Sequence, residues 1–151
     1  MMARMGSTWS FRDSWTLAAP RRAVFEVLVD LERYPEWWPQ VLAVARVSQD
    51  RARVLCRSRL PYTLDLWVHA VHRREDLLET RLAGDLDGWA RWRLTQVAGV
   101  TELLFEQEVV IARRSLAPAS YLLGGVLRWN HDAMMAGCLA GLEARVRRRQ
   151  G

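Results

Sequence analysis

The chain has 151 residues, 50% hydrophobic and 26% charged, a globular balance sized for a single compact domain and opposed to wholesale disorder. No run approaches the ~18 consecutive apolar residues of a membrane span, and Met1 to Thr8 carry no apolar h-region, so neither a transmembrane helix nor a secretory leader is expected. The net charge of +5 and a pI near 10.2 invite a nucleic-acid reading, but all 22 basic residues are arginine. Arginine never deprotonates and so inflates the pI, which points to a compositional bias of the source genome.

Residues 9–17 alternate, with Trp9, Phe11, Asp13, Trp15 and Leu17 on one face and Ser10, Arg12, Ser14 and Thr16 on the other, predicting a half-buried strand. Pro20 suits a first helical turn, and Val24, Phe25, Val27 and Leu28 follow at helical spacing, predicting a helix over 20–29. Asp30 is a candidate N-cap for a second helix, 31–37, kept short by Pro35 and Pro39. Strands are then predicted at 41–47, 52–59, 62–73, 77–83, 89–97 and 101–112. A two-glycine loop at 84–88 and short turns elsewhere join them into an antiparallel meander.

Charge identifies the outer face of that meander. Glu79 and Arg81, Arg91 and Arg93, and Glu106 and Glu108 recur at period two, so neighbouring strands bring opposite charges together. The other face then carries Leu78, Thr80 and Leu82; Ala90, Trp92 and Leu94; and Leu103, Phe105, Gln107, Val109 and Ile111. Its cover is the segment 118–149, which has no proline after Pro118, with the stripe Leu123, Val126, Leu127, Asn130, Met134, Cys138 and Leu142. Such a helix is about 40 Å long at its full extent, enough to cross the sheet.

Few residues carry recognisable chemistry. His69 and His72 are three apart on a strand and face opposite sides; His131 and Asp132 diverge by about 100° on a helix. There is no metal-ligand spacing and no phosphate-binding glycine loop, so no cofactor and no metal are expected. Cys56 and Cys138 are too few for a disulfide framework and read as buried free thiols of a cytoplasmic protein. The dense cluster Arg145, Arg147, Arg148 and Arg149 reads as a solvated helix end complementing its dipole, so neither nucleic acid nor integral membrane contact is expected. Asp13, Gln107 and Asn130 interrupt apolar faces. They bind the polar end of a ligand, or else Asp13 lies at a wet cavity mouth or bonds an arginine while Gln107 and Asn130 bond each other or water.

Strand, two short helices, six strands and one long helix is the order of the START-like helix-grip (SRPBCC) superfamily, which includes the pollen-allergen ligand carriers. The stretch Ala19–Pro39, with Ala19-Pro20, Val24-Phe25, Asp30, Tyr34-Pro35, Trp37 and Pro39, resembles the opening of its polyketide cyclase/dehydrase-like members. The resemblance runs from about residue 8 to 149 and implies an α+β helix-grip domain, a curved seven-stranded antiparallel sheet around the C-terminal helix, with 1–7 a flexible lead. It also implies a cavity between sheet and helix that holds an aromatic, polycyclic or lipid-like small molecule. Trp92, Leu94, Phe105, Gln107, Leu123, Leu127, Asn130, Met134, Asp13 and Tyr62 are the residues expected to line or contact that ligand. Three functions are compatible with it. They are cofactor-free cyclase/aromatase-type chemistry, with Asp13 as one candidate proton-transfer group; a non-catalytic lipid or quinone carrier; and an interaction module with a collapsed pocket.

Overall fold

The computed structural model describes residues 8–57, 63–112 and 124–151, with side chains from Arg128 onward in the last span. Residues 1–7, Tyr62 and Leu123, and the side chain of Leu127, lie outside it. The elements are β1 (Thr8–Leu17), α1 (Arg21–Val29), a 3-10 helix (Leu31–Glu36), β2 (Val41–Arg46), β3 (Arg51–Arg57), β4 (Thr63–Arg74), β5 (Leu77–Gly84), β6 (Leu86–Val97), β7 (Val100–Ile111) and α2 (Gly124–Gln150). The strands form one seven-stranded antiparallel sheet in the order β1-β7-β6-β5-β4-β3-β2. The meander β2 to β7 is as expected, and β1 pairs along the free side of β7, from Thr8↔Val110 to Leu17↔Thr101. The two short helices therefore carry the chain from one sheet edge to the other.

Local chemistry explains most boundaries. Pro20 takes the N-cap position with φ −69° and ψ 151°, so α1 opens at Arg21 on a residue whose φ is already set. Asp30 precedes the 3-10 helix, but its side chain caps nothing. Its Oδ2 lies 3.2 Å from Arg33 Nε instead, an ion pair that competes with capping. Ala98 and Gly99, at φ 51° and 84°, make the two-residue turn between Val97 and Val100, the backbone of a type I′ hairpin.

The expected loop at 84–88 is a correction. Only Asp85 separates β5 from β6, and Gly84 and Gly88 are bends within strands, at φ 105° and 155°. A Cβ on Gly88 would lie 1.9 Å from the Glu108 carbonyl oxygen, so glycine there lets β7 approach. Asp85 locks the bend: its Oδ2 accepts the Asp65 N–H at 2.9 Å, and its backbone oxygen accepts that of Ala112 at 3.0 Å.

The outer face follows the charge pattern. Arg91 pairs in register with Glu79 on β5 and Glu106 on β7, at 3.5 and 3.2 Å, and Arg93 and Arg12 reach Glu106 at 3.6 and 3.8 Å. The inner face holds the core, with Leu94, Leu103, Phe105 and Trp92 buried.

α2 is rotated a little from the expected stripe. Its buried line is Asn130, His131, Met135, Cys138, Leu142 and Val146, with Met134 beside it and partly buried. Two contacts set this rotation. Trp38 Nε1 donates to the Met134 carbonyl oxygen at 3.0 Å, and a Cβ on Gly141 would lie 1.7 Å from the Trp37 carbonyl oxygen. The helix therefore lies against the turn after the 3-10 helix at a distance that only glycine permits. Arg145 belongs to the same contact, its Nη2 3.0 Å from Glu36 Oε1. Its side chain is only 20% exposed, so the solvated tip is Arg147 to Arg149, without Arg145.

Candidate functional site

Between the inner sheet face and the helices lies a cavity of about 260 Å³. The period-two faces supply its walls: Ala52, Val54 and Cys56 from β3, Leu64, Leu66 and Val68 from β4, and Phe105, Gln107 and Val109 from β7. Leu28, Tyr34 and Trp38 close it from the segment after β1, and Asn130, His131, Met134 and Met135 from α2. Trp92 and Phe105 meet along one wall with tilted rings, centroids 4.6 Å apart, and Trp15, outside the lining, is 6.1 Å from Trp92.

Of the residues expected from the sequence, Trp92, Phe105 and Gln107 line the cavity from the sheet and Asn130 and Met134 from the helix. Leu94 does not; it is 2% exposed, in the core. Tyr62 and Leu123 lie outside the described residues, as does the side chain of Leu127.

Asp13 is also absent from the lining, and its partner is not an arginine. Its Oδ2 lies 2.9 Å from His131 Nε2, across 118 residues of chain. The His131 ring stacks on Phe11 at 3.8 Å and 14° and faces Phe105 at 6.2 Å. His131 lines the cavity, with Asp13 behind it. Gln107 is the register partner of Phe11, so Gln107, Asn130 and His131 make one polar group on the β7–α2 side of the chamber, while Glu32, Arg46, Asp50, Arg51, Arg73 and Glu79 also line it. The sequence pattern offered a signal for His131, its place one residue from the helix stripe, but no signal for its pairing with Asp13.

Two further groups are held neutral. Tyr34 donates its hydroxyl hydrogen to the Leu28 carbonyl oxygen, and burial pushes its phenol well above the ordinary tyrosine range. Burial pushes the Cys56 thiol up to about 12. His69 and His72 do not come together; His69 pairs with Arg81, and His72, beyond a bulge, lines the cavity. The donor atoms of Asp13, His131 and Asp132 lie within 4.8 Å of one another, a three-residue cluster that spacing alone did not reveal.

A sheet wrapped around a long helix over an apolar chamber defines a helix-grip protein. The family model described as polyketide cyclase / dehydrase and lipid transport matches residues 8–147. The chain belongs to that family. The fold is shared with a protein from Thermus thermophilus (TM-score 0.79, 16% identity, 95% of this chain and 100% of that one). It is shared as well with the Zhui aromatase/cyclase from Streptomyces sp. R1128 (0.78, 17%, 95% and 96%). A START superfamily protein from Mycobacterium smegmatis is similar too (0.76, 15%, 92% and 97%). Comparison with curated proteins finds no match. No helix among the described residues is long and apolar enough to cross a membrane.

Proposed function

We propose that this chain binds a flat hydrophobic small molecule, aromatic or polycyclic, with its polar end toward Gln107, Asn130 and His131. The observation that carries this reading is the chamber itself, about 260 Å³, walled largely by apolar side chains, with Gln107, Asn130 and His131 grouped on its β7–α2 side and charged residues such as Arg46, Asp50 and Arg73 elsewhere on its lining. That arrangement orients an amphipathic ligand by burying its rings and satisfying one polar edge. The same geometry suits cyclase/aromatase-type chemistry, since a chamber that holds a reactive chain in one conformer needs only a few groups to move protons. The family description and the Zhui aromatase/cyclase support it. The lipid-transport half of the family description supports a second reading, a carrier that releases its ligand unchanged. The open chamber weighs against an interaction module with a collapsed pocket. No nucleic-acid partner is proposed.

A naphthalene-sulfonate dye tests the binding site. It is expected to quench tryptophan fluorescence. Trp92→Ala should weaken dye binding several-fold without unfolding the chain, and Gln107→Leu should weaken polar ligands more than apolar ones. Unchanged affinity in both variants would place the ligand elsewhere. Turnover of a poly-β-ketone separates the enzyme from the carrier, and for a carrier mass spectrometry of the denatured protein is expected to find host lipid or quinone.

A further inference from the structure

His131 enters the cavity wall with one ring nitrogen engaged. Asp13 holds Nε2 at 2.9 Å, while Nδ1 makes no hydrogen bond among the described residues. A carboxylate only accepts, so Nε2 carries the hydrogen of this bond and the neutral ring keeps its lone pair on Nδ1. Stacking on Phe11 at 3.8 Å fixes the ring plane. The side chains of His131 and Asp13 are 10% and 24% exposed, and of the two only His131 lines the chamber. The other charged groups nearby are Asp132, exposed and next to His131 on α2, and Arg128, whose guanidinium lies 5.3 Å over the Phe11 ring.

We propose that His131, positioned by Asp13, accepts a proton from the cavity ligand, and that the ligand class is an aromatic or polycyclic molecule with an acidic hydroxyl, a phenol or an enol. This rests on the ligand-binding reading above. In the step, the ligand O–H bond breaks and its electron pair stays on oxygen. The proton bonds to Nδ1, which leaves a phenolate or enolate beside an imidazolium that Asp13 neutralises. Return of the proton from Nδ1 restores both partners, with no oxidant or reductant. The imidazolium faces the new anion across a low-dielectric chamber, where that attraction is stronger than in water. Gln107 supplies an amide donor on the same side of the chamber.

The test uses a nitronaphthol, whose anion absorbs at longer wavelength than its neutral form, with the full chain treated with chelator. The pH is chosen so that the free probe is mostly neutral, and binding is followed separately by tryptophan quenching. The bound probe is expected to show the anion band, with its anion-to-neutral ratio raised about tenfold over free probe, one pKa unit. Its O-methyl ether is expected to quench without any such band. Asp13→Asn, which keeps an acceptor but removes the charge, should lower the ratio several-fold while quenching persists. His131→Gln should abolish the rise. A wild-type protein that binds the probe in its neutral form overturns the proposal and leaves the binding reading standing, whether or not the variants fold. An anion band of full size in His131→Gln also overturns it. A probe that fails to quench at all overturns the binding reading and this proposal with it.

Discussion

Cys56 and Cys138 show how burial decides a residue's chemistry. Both are buried free thiols, as their number and context in the sequence suggested. Cys56 lies on the cavity wall, where burial pushes its thiol up to about 12. Cys138, on the inner side of α2, is completely buried and raised well above its usual range, by burial first and the nearby Asp13 charge second. The thiolate is the nucleophile, so neither is reactive at neutral pH. Iodoacetamide at pH 8 is expected to leave the native protein unmodified and to alkylate two sites after denaturation. Fast labelling of one native cysteine would show that its surroundings are open to water.

Among the elements, α2 depends on its glycines as much as on its apolar stripe. A glycine inside a helix ordinarily costs about 1 kcal/mol relative to alanine, so Gly141→Ala would stabilise a free helix. Here the added Cβ meets the Trp37 carbonyl oxygen at 1.7 Å, and backbone cannot rotate aside as a side chain does. The clash should outweigh the propensity gain, for a net loss of about 2 kcal/mol, read as a melting temperature lower by roughly 5 °C. A raised melting temperature would mean that α2 stands further from Trp37. Gly137 differs, because the nearest atom to its added Cβ is the Gln40 side-chain oxygen at 2.3 Å. That end of a side chain moves, so Gly137→Ala should cost less than Gly141→Ala.

Across the whole molecule, an ion pair ties the end of the chain to its beginning. Glu36 accepts a hydrogen bond from Arg145, which holds its carboxyl below the usual range, with Arg33 adding to the effect. A lowered folded-state value means a stability contribution present above the unfolded carboxylate value, about 4.3, and lost as pH falls through the folded value. Glu36→Gln is therefore expected to lower the denaturation midpoint at pH 7 and to match the unsubstituted protein once pH is below both values. A difference that persists in acid would assign the effect to packing and not to charge.

The set of elements and their faces is legible in the amino-acid order alone. Period-two charges on β5, β6 and β7, prolines at 20, 35 and 39 and the proline-free tail act within a few residues of themselves, so they can be read without a partner. The same patterns put Trp92, Phe105 and Gln107 on the inner face, where they line the chamber. Gly84 and Gly88 misled because a glycine that bends a strand and a glycine that ends one look alike in a sequence; the difference is the approach of Asp65 on β4 to Gly84 and of Glu108 on β7 to Gly88. Tertiary structure alone decided that β1 lies beside β7 and how far α2 turns about its axis. It also decided that Asp13 meets His131 across 118 residues. These depend on close packing between distant segments, and no local pattern encodes the distance at which two such surfaces come to rest.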